Sequence, residues 1–198
     1  KEGDYDLLKV SSNAVKLMSE GELLQIEKSR TMNIGEDTYF DIIGMKTASL
    51  IASCCSIGAA SVGASETTVE QMRQFGEKIG IAFQIKDDLF DYGDEKIGKP
   101  TGGDIKEKKL TLPLIHALSK VDRGEQNRIK KIIQKRGNKK KGIQEVVDFV
   151  KQHGGIDYAR DKMFQYQEDA FEILGNYQDS EYNESLKKLV RFTTERSK

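Results

Sequence analysis

Asp87, Asp88 and Asp91 set three carboxylates within little more than one helical turn. On a wheel at about 100° per residue with Asp87 at zero, Val69, Met72, Gly76, Ile79, Gly80 and Phe83 fall within about 80° of it. That is a core-facing stripe. At its C-terminal end the members change chemistry: Asp91 lies at roughly 40°, Gln84 at roughly 60° and Asp88 at roughly 100°. Ile81, Ala82, Ile85, Leu89 and Phe90 take most of the other directions. The carboxylates thus top a helix that is apolar almost all round. They repel one another, and burying one is costly unless it is paired. A hard divalent cation, which takes oxygen ligands and offsets the repulsion, is the matching partner; a solvated acidic helix end is the plainer alternative.

Lys46 is the opposite anomaly. Tyr39, Ile42, Ile43, Leu50, Ser53 and Ile57 fall within about 60° of it on the wheel, so an ammonium sits in an inward stripe. It either snorkels from a core edge or aims at a buried anion, with the Thr47 hydroxyl beside it. After the acidic helix, Lys99, Lys106, Lys108 and Lys109 stand among Gly98, Gly102 and Gly103. Mobile lysines next to carboxylates suit a lid over a metal-bound polyanion. A charged mouth above an apolar shaft points to a ligand with a diphosphate head and a hydrocarbon tail.

The elements that must position these groups read as helices. Two prolines in 198 residues, long 3.6-residue periodicities and little alternation predict an all-α chain. Helices are expected over 6–29, 38–62, 69–92, 112–120, 124–136, 144–153, 156–174 and 180–194. Thr67 with Glu70 reads as a capping box opening the third. Residues 93–109 read as a lid-like loop, and Asn138 to Gly142 as a solvated turn. The chain, 1–198, is expected to be a single all-α domain, with no tandem repeat. Basic and acidic residues balance at 32 each, so no global field draws the chain to nucleic acid or anionic membrane. No run is expected to reach the roughly 18 apolar residues of a membrane span. The adjacent Cys54 and Cys55, in an apolar stretch, read as buried thiols of a cytoplasmic protein.

Phe83 to Asp91, followed by Gly98-Lys99-Pro100, Gly103-Asp104 and Lys109 to Pro113, closely resembles the second aspartate-rich region of trans-isoprenyl diphosphate synthases. Upstream, Gly21-Glu22-Leu23-Leu24-Gln25 and Lys46-Thr47-Ala48-Ser49-Leu50 resemble that family's G-E-x-x-Q and K-T-A-x-L elements, in the right order. The specific motifs cover roughly Ser19 to Leu118. The style is similar to bacterial octaprenyl diphosphate synthases. The resemblance implies an isoprenoid-synthase-type helical bundle around a central cavity, usually a homodimer. It implies Mg²⁺ on Asp87, Asp88 and Asp91, with Gln84 fixing the carboxylates or touching the diphosphate. Lys46, Thr47 and Lys99 would bind diphosphate oxygens, with Lys109 contributing from the lid. The implied reaction is condensation of isopentenyl diphosphate with an allylic diphosphate, by ionisation of the allylic partner and loss of a proton. No protein nucleophile is required, and His116 and His153 lie outside the motifs. The polyprenyl product would partition into membranes.

There are departures. The family's first aspartate-rich motif and its arginine pair do not occur in these 198 residues, and Lys86 stands where many members carry an apolar residue. The chain opens at Lys1 in mid-helix pattern. It is therefore expected to be the C-terminal two-thirds of a longer synthase, inactive alone. The rival readings are a non-catalytic subunit of a heteromeric prenyl synthase, a class I terpene cyclase, and a helical scaffold without catalysis.

Overall fold

The computed structural model describes residues 5–93 and 102–196. Among the described residues there are helices and turns and no strand, as the periodicity predicts. The chain is all-α. The helices are α1 (Tyr5–Thr31), α2 (Glu36–Ile43), α3 (Ser49–Ser61), α4 (Glu66–Phe90), α5 (Gly103–Lys106), α6 (Leu112–Ser119), α7 (Arg123–Arg136), α8 (Lys140–Gln152), α9 (Gly155–Gly175) and α10 (Glu181–Glu195). A π-helical turn, Gly44–Ala48, joins α2 to α3.

That turn corrects the expectation of one regular helix over 38–62. The Ser49 N–H reaches back five residues to the Gly44 carbonyl. The Met45 carbonyl, which an α-helix would have paired with that N–H, accepts the Ser49 hydroxyl at 2.6 Å. Single π turns cluster at functional sites, and this one carries Lys46 and Thr47.

Three further boundaries differ. Ser65, not Thr67, opens α4: its hydroxyl accepts the Thr68 N–H at 3.2 Å and its carbonyl the Val69 N–H at 2.9 Å. Glu70 is instead engaged by Arg73 at 2.9 Å. The Asn138 to Gly142 turn is helical from Lys140. Gly142 is needed there, because a Cβ would lie 2.3 Å from the Arg136 carbonyl oxygen. The expected loop over 93–109 contains the short helix α5.

The fold divides into two compact units, one from Lys1–Leu23, Asp41–Gln84 and Met163–Arg196, the other from Leu24–Phe40 and Ile85–Lys162. In the first, Phe75 and Ile79 of α4 pack with Ala170 and Leu174 of α9 and Val190 of α10. Ser180 caps α10, and the buried Asn183 amide donates to the Leu174, Tyr177 and Gln178 carbonyls. In the second, Ile85, Ile105, Leu112, Leu114, Ile129, Ile133 and Val146 are fully buried. Gly102 adopts φ 84°, and a side chain there would meet Ile143.

By length and composition alone, Glu36–Ser61 is apolar enough to cross a membrane, which corrects the expectation that no run is. Its alanines Ala48 and Ala52 meet two glycines of α4. A Cβ on Gly76 would lie 2.7 Å from the Ala52 Cα, and one on Gly80 2.5 Å from the Ala48 Cα. α3 and the π turn therefore lie against α4 almost backbone to backbone. Cys54 is exposed and Cys55 partly buried, so the expectation of two buried thiols holds for neither in full.

Candidate functional site

The first unit holds a cluster built on the π turn. Gly21 allows α1 to approach, since a Cβ there would sit 2.8 Å from the Lys46 backbone nitrogen. The next residue, Glu22, then places Oε2 2.5 Å from Lys46 Nζ. One helical turn beyond Gly80, Gln84 accepts the Thr47 hydroxyl at Oε1, 2.9 Å away. The close contact at Gly80 and Ala48 is what brings this pair into reach. Lys46 is not buried: a third of its side chain remains exposed, beside a Glu22 about half exposed. Such an ion pair contributes about 1 kcal/mol or less. The inward stripe predicted around Lys46 is corrected accordingly, because the π turn rotates Lys46 away from the α2 register.

The second unit holds the carboxylates, at the C-terminal end of α4. Asp88 is the buried member, 4 % exposed, while Asp87 and Asp91 are intermediate. This reverses the wheel, which set Asp88 farthest from the stripe centred on Asp87. Ile85, Asp88 and Tyr92 form the buried line here, and a helix end apolar on most sides could not reveal that choice. Asp88 Oδ2 accepts the hydroxyl of Tyr39, itself 4 % exposed, at 2.7 Å. Burial first, and then the Asp88 charge, push the Tyr39 hydroxyl well above its ordinary pKa. Beside them Tyr92 and Thr111 share a buried hydrogen bond of 2.8 Å.

Asp91 caps α5. Its Oδ1 accepts the Gly103 N–H at 2.7 Å, its Oδ2 the Asp104 N–H at 3.1 Å, and its carbonyl the Gly102 N–H at 3.1 Å. Burial still raises the Asp91 pKa, against the lowering effect of those amides. Burial also raises Asp104, with the Asp91 charge adding and Lys109 opposing. Lys109 Nζ lies 3.6 Å from Asp104 Oδ1 and 2.5 Å from Glu107 Oε2. Lys86 lies over the Phe90 ring, 5.3 Å from its centroid. Lys99, with Gly98 and Pro100, lies outside the described residues.

The sequence assigns no role to Glu22, Tyr39 or Asp104. Glu22 and Asp104 stand inside the G-E-x-x-Q and Gly103-Asp104 motifs, which is their signal in the sequence; Tyr39 is only one member of a stripe. The two histidines are held structurally. His116 stacks on Tyr158 at 3.8 Å between ring centres, and His153 Nδ1 bonds the Phe149 carbonyl at 2.8 Å.

The donors fit a hard divalent cation in kind, being all oxygen, and desolvated carboxylates gain most from one. Among the described residues no three such groups converge into a closed cage.

The described residues are thus helical throughout, with an aspartate cluster ending α4 in one unit and a lysine and a threonine on a π turn in the other. The polyprenyl synthetase family model matches residues 1–150, and the chain belongs to that family. Geranylgeranyl diphosphate synthase of Sulfolobus acidocaldarius is 32 % identical over 96 % of this chain and 58 % of its own length. Among solved structures, geranylgeranyl pyrophosphate synthase from Bacteroides thetaiotaomicron superposes with TM-score 0.88 at 38 % identity, covering 97 % of this chain and 64 % of that one. Polyprenyl synthase from Caulobacter crescentus, complexed with calcium and isoprenyl diphosphate, gives 0.88 at 30 % identity, over 98 % and 60 %. The chain thus spans about 58 % of the length of the curated relatives first matched.

Proposed function

We propose that the protein containing this chain is a Mg²⁺-dependent trans-prenyltransferase, which condenses isopentenyl diphosphate with an allylic diphosphate into a polyprenyl diphosphate. The observation that carries this is the carboxylate group ending α4, where Asp88 is buried and burial raises the pKa of Asp91 and Asp104. Carboxylates kept in such surroundings suit a cation-bridged polyanion.

In this reading Asp87, Asp88 and Asp91 hold Mg²⁺, which when bound supplies positive charge to a departing diphosphate. Lys46 exchanges its weak Glu22 contact for a diphosphate oxygen. Thr47, whose hydroxyl donates to Gln84 without ligand, turns that proton to a diphosphate oxygen when the ligand is bound. Lys99 and Lys109 add cationic donors from the segment after α4. These donors stabilise charge as the allylic C–O bond breaks, and no protein nucleophile is involved. The proton lost on condensation leaves with the released diphosphate. Exposed Leu8, Val15, Leu23 and Leu50 support an assembled working state, a homodimer in this reading.

The test is incorporation of radiolabelled isopentenyl diphosphate into allylic products by the intact protein. Chain elongation that needs Mg²⁺ and fails in Asp87→Ala is the expected result. Absence of incorporation with any allylic primer from five to twenty carbons would overturn the reading.

A further inference from the structure

We propose that Tyr39 is a positioning residue for the cation site, acting through Asp88. The inference rests on the reading of Asp88 as a Mg²⁺ ligand. Three observations carry it. Both side chains are 4 % exposed, so solvent does little to orient either. The hydroxyl lies 2.7 Å from Asp88 Oδ2, a short hydrogen bond of the charge-assisted kind. The two residues lie 49 apart in sequence, so the bond ties the α2 segment to the end of α4.

The consequence is geometric. A carboxylate that ends a helix can turn about χ1 and χ2, and each misorientation moves an oxygen out of coordination range. The Tyr39 hydroxyl engages Oδ2 and sets the plane in which the carboxylate is presented. The Tyr39 ring cannot drift, because it is buried and meets Phe40 edge to face at 5.3 Å. Hydrogen bonds to ligating carboxylates commonly matter about 10- to 100-fold in metal affinity. Phenylalanine at 39 keeps the ring and its volume and removes only the hydroxyl.

The experiment is a thermal-unfolding titration of the intact protein with MgCl₂ at fixed inorganic pyrophosphate, reading the Mg²⁺ midpoint of the stabilisation. Tyr39→Phe is expected to raise that midpoint about tenfold. In an Asp88→Asn background it is expected to raise it no further, since a residue acting through Asp88 has nothing left to position. An unchanged midpoint in Tyr39→Phe, even with a lowered metal-free Tm, shows a merely structural tyrosine and overturns the inference. A wild-type protein that MgCl₂ with pyrophosphate does not stabilise overturns the proposed function itself, and the inference with it. Should Tyr39→Phe fail to fold, 3-fluorotyrosine placed at 39 reports the same contact by ¹⁹F NMR. Its resonance is expected to move along the wild-type Mg²⁺ titration, and a resonance that stays fixed overturns the proposal.

Discussion

Lys46 Nζ meets Glu22 Oε2 at 2.5 Å, in a pair that joins the two upstream motifs of the chain through space. The contact exists because Gly21 lets α1 lie against the backbone of the π turn. The pair is partly solvated and weak. Glu22→Gln is expected to change Tm by no more than about 4 °C, the shift of about 1 kcal/mol in a domain of this size. Lys46→Ala is expected to depress turnover of the intact protein roughly tenfold or more, because it removes a cation from the departing charge. Calorimetry and initial rates check the two halves.

The glycines of α4 carry the second prediction. Gly80→Ala gains helix propensity of up to about 1 kcal/mol, but its Cβ would stand 2.5 Å from the Ala48 Cα. Overpacking of that kind costs about 1–3 kcal/mol, so the variant is expected to melt lower. Gly58→Ala on α3 meets nothing within 4 Å and is expected to be stabilised by about 0.5–1 kcal/mol. Denaturant unfolding of both variants gives the contrast, and equal responses would contradict the close approach of the π turn and α4.

Asp91 caps α5 and, in the proposed function, also holds the cation, and mutation separates the two. Asp91→Ala leaves the Gly103 and Asp104 amides without their acceptor and is expected to cost about 1–2 kcal/mol without metal. Asp91→Asn keeps one carbonyl oxygen for the cap and is expected to lose less. Both variants are expected to lose stabilisation by MgCl₂ with pyrophosphate, since each removes the charge. Urea unfolding with and without the ligands reads both effects.

The adjacent thiols differ in environment, and that predicts pH-dependent labelling. Cys54 is exposed, while burial, and then Cys54 itself, push Cys55 up to about 11. The thiolate is the reactive form. At pH 8 a disulfide reagent is expected to label one thiol per chain rapidly, and Cys54→Ser to abolish that phase. Raising the pH toward the Cys55 value populates its thiolate, so the slow phase accelerates. Two equally fast thiols at pH 8 would contradict the packing of α3.

The helical class, the carboxylates at the end of one helix and the Lys46-Thr47 pair were legible from residue type and spacing. Periodicity and motif are local properties, and a chain carries them unfolded. What the periodicity could not decide was direction. The C-terminal half of α4 is apolar on most sides, so the choice of Asp88 over Asp87 as the buried carboxylate came from Tyr39 packing against it. The π turn was equally hidden, because its register is held by Gly80 and Gly21 meeting Ala48 and Lys46 across helices, contacts that no window of sequence contains. Motif spacing thus nominated the candidate groups. Only tertiary packing decided which of them are buried, which are paired and by whom, since a hydrogen bond between residues 49 positions apart exists only once the chain has folded.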